Sequence, residues 1–383
     1  FAARLLRAAP LGLLATAATF LATLLGMEGV VMSALDPFAW VRAPRADSGV
    51  VVVQITDRDY RRLFGGRSPL DAARVEELVR AIGAGRPRVI GIDLDTSDPT
   101  FRAVRPVPGV PVIWAREVVE CEAYAAMPVG CAADAWVFGP VLGGRNPPDS
   151  MAAVSLYPDP DGVIRRYRRT LRGPGGPVPT LGAALGRFGR DAEEEGRPGE
   201  RMIVYRPVEG RWTFAASAVL DLARSPGWAD GVLRGKVVLL GGSYRAARDA
   251  HPTPLGPLPG VEVWAQVAET EMYGEGFSPP APLAVTGLAF LHGVLVLVLF
   301  QRLCFERAVA WSVGASLVLA PGSSLLVTGG GTAGLWLYFL PIWGTVLAQQ
   351  LFDSAKSYRD AWVAGLYQQV AVAEPLDAQT DDA

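Results

Sequence analysis

Three long uncharged runs constrain this chain more than any other feature. Ala8 to Met27 carries no charge, nor does Leu283 to Phe300, nor Ala308 to Phe352. As helix the last run would extend roughly 65 Å, against a bilayer core of about 30 Å. It therefore divides into two spans, and "TGGGTAG" at Thr328–Gly334 is the natural turn between them. Four transmembrane helices are expected, at 8–35 and at about 283–301, 308–327 and 334–352, one before and three after a large segment, 36–276. Arg4 and Arg7, Arg302 and Arg307, and Lys356 and Arg359 then fall on one side, which makes 1–7 and 353–383 cytoplasmic and 36–276 extracytoplasmic. Arg42 and Arg45 run against this rule, but long domains translocate largely regardless of charge. The expected location is a bacterial inner membrane.

Composition agrees. Half of the 383 residues are hydrophobic and the formal charge is −2, too apolar for an ordinary soluble protein. With no basic stripe, a nucleic-acid partner is not expected. Cys121 and Cys131 lie in the exported segment, where a disulfide closing their short loop would stabilise it by roughly 3 kcal/mol; two unpaired thiols are the alternative. His251 and His292 are the only histidines, and no Cys/His cluster accompanies them, so neither a metal nor a cofactor is expected.

The exported segment reads as α/β. "VVVQITD" at 51–57 is a strand, and "DAARVEELVRAIGAG" is a helix with Ala73, Val75, Leu78, Val79 and Ile82 near helical spacing. "RVIGIDLDTSD" and Val110–Ala115 continue as buried strands, which predicts a mainly parallel sheet with right-handed crossovers. "MAAVSLYPDPDGVIRRYRRTL" reads as a hairpin about Pro158–Gly162, with Arg165, Arg166, Arg168 and Arg169 on a solvated edge strand or in an anion patch. Helices near 179–189, 215–224 and 261–273 and strands "RMIVYRP" and "KVVLLGGS" complete the series.

Little in the segment signals catalysis. Asp93, Asp95 and Thr96 resemble the first motif of haloacid-dehalogenase-type phosphatases, in which the first Asp is the nucleophile. The downstream acids that such an enzyme needs for magnesium do not follow, and the match reads as coincidental. "VVLLGGS" lacks the phosphate-binding glycine patterns, and Ser243 lacks a nucleophile elbow. No enzyme is expected.

The set as a whole resembles the CHASE2 domain, an extracytoplasmic sensory module of bacterial cyclases and kinases. "VVVQITD", "VIGIDLDTSDP", "PDPDGVIRRYR", "GKVVLLGGSY", Asp249 and "TPLGPLPGVEVWA" carry the likeness, in that order. The resemblance implies one helix before the domain, commonly three after it, and usually a cytoplasmic catalytic domain beyond; here only 353–383 follow. The chain is therefore expected to be a membrane-anchored sensor that relays a periplasmic signal to a separate cytoplasmic kinase or cyclase. The alternative is an accessory subunit among other membrane proteins in a larger assembly; a homo-oligomer fits either. Ligand contacts are expected at Asp57, Asp93, Ser243 and Asp249, where loops would cover the strand ends, with Gly241 and Gly242 turning the strand tightly. A tail helix would carry Tyr358, Trp362, Leu366 and Val370 on one stripe.

Overall fold

The computed structural model describes residues 47–105, 107–119, 150–159, 161–173, 176–189, 199–207, 212–225 and 231–276, with short pieces at 41–43, 135–138 and 227–228 and scattered residues within 291–315 and 358–364. The chain divides into two units, Gly29–Pro279 with Thr328–Gly331, and Phe1–Glu28 with Pro280–Val327 and Thr332–Ala383. Among the described residues no helix is long and apolar enough to cross a membrane, and most residues of the four expected spans lie outside them. Cys121, Cys131 and His292, with Leu366 and Val370 of the tail, also lie outside the described residues.

The strands are β1 (Val50–Ile55), β2 (Val89–Asp93), β3 (Val112–Val119), β4 (Ala135–Phe138), β5 (Met151–Ala153), β6 (Arg166–Arg168), β7 (Thr170–Gly173), β8 (Gly176–Pro179), β9 (Glu200–Met202), β10 (Trp212–Ala215), β11 (Val237–Gly242), β12 (Ala250–Thr253) and β13 (Gly256–Pro259). The helices are α1 (Asp57–Leu63), α2 (Ala72–Ala84), α3 (Leu181–Gly186), α4 (Ala216–Leu222) and α5 (Gly260–Met272). One sheet runs β10-β1-β11-β2-β3-β4, with β5 also on β3; every ladder is parallel except β3–β4. The expected α/β fold with a mainly parallel sheet is thus present.

β1 and β11 are mostly β-branched and aliphatic, apart from Gln54 and the two glycines that end β11, because both faces of a central parallel strand are covered. On one face Val51, Val53, Ile55, Ile90, Ile92, Val238 and Leu240 pack against α2 and α4. On the other, Val50, Val52, Val89, Val237 and Leu239 meet α3 and α5. In α2, Asp71 caps Ala73 N at 2.9 Å, and Ala72, Val75, Leu78, Val79 and Ile82 face inward. Ala73 itself is exposed; the inward position is one residue earlier than the sequence spacing suggested.

The expected hairpin at 151–171 does not form. β5 joins β3 in parallel and β6 pairs β9 antiparallel, so the Asp159–Gly162 turn links two sheets. The arginines are neither an edge device nor an anion patch. Arg165 is fully buried and holds both oxygens of Asp161 at 2.9 and 2.8 Å; Arg166 Nε lies 2.7 Å from Asp159 Oδ1. Arg169 grips Glu271 at 3.0 Å, and only Arg168 is exposed, its guanidinium 5.1 Å from the Tyr157 ring centre. Alternation alone does not reveal this, because the compensating acids come from Asp159, Asp161 and distant α5.

Helix α5 is sunk into the domain. It buries Val261, Val263, Trp264, Val267 and Ala268, and also Glu262, Gln266, Glu269, Thr270 and Glu271. A buried polar group without a partner costs about 1–3 kcal/mol, so each needs one. Gln54 Nε2 donates to Glu262 at 2.7 Å, and Ser48 Oγ to Glu269 at 2.6 Å. Gln266 brackets the backbone of Arg206, accepting at 3.0 Å and donating at 2.7 Å, while Thr270 Oγ1 accepts from Val204 N at 3.1 Å. Tyr167 and Arg169 both donate to Glu271; burial first, then this carboxylate, lift the Tyr167 phenol well above its usual range.

Close approach of α3 to α5 depends on glycine. A Cβ on Gly182 would strike the Val267 side chain and come within 3.1 Å of Ala268 N, and one on Gly186 would strike Glu271 Cβ. We expect Gly182→Ala to destabilise the domain by about 1–3 kcal/mol, read from the urea midpoint, because the helices must part. Glu271→Ala should cost more, about 3–5 kcal/mol, since it leaves the buried Arg169 charge unpaired.

Candidate functional site

Three neighbouring strands end together. In register, Ile55 lies beside Gly242 and Gly241 beside Asp93, so Asp57, Asp93 and Ser243 stand at the carboxyl ends of β1, β2 and β11. Ligands of open parallel sheets bind at such ends. Each residue is placed by local chemistry that can be followed outward from the strands.

At β1, Thr56 accepts from Asp59 N at 3.2 Å while Asp59 Oδ2 accepts from Thr56 N at 3.2 Å, a reciprocal cap that starts α1 directly after the strand. Apolar spacing predicts no helix there, although T-D-R-D carries an Asp three residues after the Thr. Asp57 then accepts from Arg245 N at 2.9 Å, and Tyr60 stacks on Tyr244, centroids 4.2 Å apart. These contacts fix the turn after β11. Ser243 contributes mainly backbone: its N–H donates to Ile55 O at 3.0 Å, and its hydroxyl reaches the same oxygen at 3.5 Å.

Gly241 and Gly242 lie within β11 itself and are not the tight turn that the sequence suggested. Their role is clearance. A Cβ on Gly241 would fall 2.6 Å from Val261 Cβ in the first turn of α5, and one on Gly242 would lie 2.8 Å from the Tyr244 ring.

The loop after β11 turns back at Arg248, which is left-handed with φ 54°, and delivers Asp249 to the head of α5. Gly260 N donates to Asp249 O at 3.0 Å. The Asp249 carboxylate packs over Gly260, where a Cβ would collide with both carboxylate oxygens. His251 Nε2 lies 2.8 Å from Asp249 Oδ1, so the one described histidine bonds a carboxylate. "TPLGPLPG" is not a plain loop: β12 and β13 form a short hairpin that leads into α5.

Asp93 and Asp249 act on one another. The Asp93 carboxyl is held well above the usual carboxylate range, first by burial and then by the negative charge of Asp249. Its Oδ2 is sealed from solvent and has no hydrogen-bond partner. Thr96, three residues on and 1 % exposed, also has an unpartnered hydroxyl. Asp95 is exposed and spends Oδ1 on Ser97 N at 2.9 Å and Ser97 Oγ at 2.6 Å, ordering its own loop. Among the described residues no group of three or more His, Cys, Asp or Glu side chains could hold a metal ion.

The four expected ligand contacts therefore separate into two associations. Asp93 carries the effect of the Asp249 charge, whereas Asp57 and Ser243 serve the turn that carries Arg245. Sequence reasoning missed the polar row of α5. Glu262, Gln266, Glu269 and Thr270 recur at 4, 7 and 8 residues, a pattern that ordinarily marks a solvated helix face.

No curated protein and no solved structure matches the chain. The family model of the CHASE2 domain matches residues 13–300, which include every strand and helix named above. The chain thus belongs to the CHASE2 domain family, whose members are extracytoplasmic sensory domains rather than catalytic ones.

Proposed function

We propose that this chain is a membrane-anchored sensor whose extracytoplasmic domain relays a signal to a separate cytoplasmic partner through helix α5. The observation that carries the reading is the position of α5. Its first residue is tied to Asp249 at the carboxyl end of the sheet, and its last turn is tied to the segments by which the chain enters and leaves the domain. With 13 residues it runs about 20 Å, the depth of the six-residue strands β1 and β11.

The far end is a clasp. Ser48 bonds Glu269, and the Tyr273 hydroxyl accepts from Gly49 N at 3.2 Å and donates to Asp47 O at 3.3 Å. Lys236 donates to Ser48 O at 3.0 Å and pairs with Asp47. Just beyond α5, Arg206 holds both oxygens of Glu275 at 2.8 and 3.1 Å, and Arg201 donates to Gly276 O at 3.2 Å. Incoming and outgoing chain are thus joined at the starts of β1 and β11. A displacement of α5 would reach both flanking segments together, as a relay across a bilayer requires. The uncharged runs on either side of the domain supply the spans.

The expected ligand site is the Asp93–Asp249 end, with Asp57 and Ser243 framing its rim. Two experiments test the reading. A reporter enzyme that folds only outside the cytoplasm, inserted between β7 and β8 near Gly175, should be active, and the same reporter after Asp353 should be silent; the reverse pattern contradicts the topology. Pull-down of the full chain from native membranes should co-purify a cytoplasmic signalling enzyme whose activity changes in Glu269→Ala. Recovery of membrane proteins alone, with no such enzyme, would favour an accessory subunit.

A further inference from the structure

Among the described residues the buried acids have partners that explain them: Glu262 has Gln54, Glu269 has Ser48, Glu271 has Tyr167 and Arg169, Asp159 has Arg165 and Arg166, and Asp59 caps α1. Asp93, partly buried at the end of β2, differs. Its Oδ2 is enclosed and unpartnered, and the charge that acts on it is that of another carboxylate, Asp249. An ionised carboxylate in such a place is costly unless paired, and here the neighbour adds repulsion. The neutral acid removes both penalties. Asp249 meanwhile forms the seat of α5, through its backbone to Gly260 N and through a carboxylate pressed onto Gly260.

We propose that Asp93 and Asp249 form a proton-operated latch on the first turn of α5, so that the stimulus read by this domain includes extracytoplasmic pH. The proposal deepens the sensory reading by naming a stimulus for the same end of the sheet, and its physical core does not depend on the relay. With Asp93 protonated, Asp249 carries the only charge of the pair. It sits at the positive end of α5 with His251 against its other side. When Asp93 releases its proton to solvent, two carboxylates face one another and the softer of the two places must yield. That place is the Asp249 loop, half-exposed and turning through left-handed Arg248, whereas Asp93 belongs to a central strand. Displacing Asp249 loosens its hold on Gly260 and thereby the head of α5.

Other titratable groups among the described residues border the latch. His251 Nε2 lies 2.8 Å from Asp249 Oδ1. Tyr244 is lifted by burial, then by Tyr60, with smaller effects from Asp95 and Asp249, and stays neutral over the relevant range. From α5, Glu262 faces Gln54 and Thr213 on the strands. The sign follows from the direction of the Asp93 shift. A carboxyl whose folded-state affinity for the proton is raised favours folding most at low pH. That advantage is lost as pH rises from the unfolded value, about 3.9, through the folded one, and is constant above it.

The test uses the full chain in detergent, comparing wild type with Asp93→Asn across pH 4 to 9. Asn is a neutral stand-in for the protonated acid. The melting temperatures should nearly coincide at the acid end, and Asp93→Asn should melt higher at the alkaline end, by about 2–4 °C or more. Infrared difference spectra should show a protonated-carboxyl band above the usual aspartate range that Asp93→Asn lacks. A temperature difference that is independent of pH, or a band that persists in Asp93→Asn, overturns the latch. If Asp93→Asn does not fold, Asp249→Asn carries the same question, because it removes the neighbouring charge and keeps the Asp93 carboxyl. The band should then titrate at lower pH than in wild type, and identical titration in both overturns the proposal. Because these readouts need no partner, failure of the latch is distinguishable from failure of the relay.

Discussion

The domain depends on a buried helix whose polar side chains are all engaged. Were α5 an ordinary surface helix, Glu262, Gln266, Glu269 and Glu271 would be solvated and would constrain nothing. Because the helix is enclosed, each polar group must find a partner, and each partner lies on a different segment: β1, the chain just before it, residues 203–206, and the Tyr167–Arg169 stretch. A set of this kind fixes the relative placement of those segments more strictly than apolar contact would, since a shifted register leaves a buried charge unpaired. The glycines of α3 complete the enclosure by letting its backbone lie close to α5.

This arrangement gives the two ends of the sheet different characters. At the starts of β1 and β11 the contacts are numerous and satisfied, with lysine, tyrosine and arginine holding the chain segments beside α5. At the carboxyl ends Asp93 has an enclosed oxygen without a hydrogen-bond partner and carries the effect of the Asp249 charge. Strain of this sort is tolerated when the surrounding structure over-determines it, and it concentrates where a protein responds to something. On the proposed reading, α5 would carry a small displacement between these two ends.

Much of this was legible in the residues. The strand–helix–strand order, the buried runs of β1, β2 and β11, the extent of α2 and α5, and the placement of Asp57, Asp93 and Ser243 at strand ends follow from local pattern, because central parallel strands and half-buried helices carry strong periodic signals. What was not legible depended on distant pairing. Arg165 looked solvated because its neighbours alternate, yet Asp159 and Asp161 let it be buried. The 151–171 stretch looked like a hairpin because its turn chemistry is right, yet β5 found a longer partner in β3. Gly241 and Gly242 looked like a turn, and their purpose became clear only with Val261 and Tyr244 in place. The polar row of α5 looked like a solvent face, and nothing local announces that four segments close over it.

The central claim is that α5 belongs to the folding core and is not a peripheral cover. Native-state hydrogen exchange on the full chain measures this directly, since amides exchange at rates set by the smallest opening that exposes them. The account predicts that the amides of 263–272 exchange last, together with those of β1 and β11 and with the backbone of 203–206, as one cooperative group. Early exchange of 263–272 while β1 and β11 remain protected would contradict it.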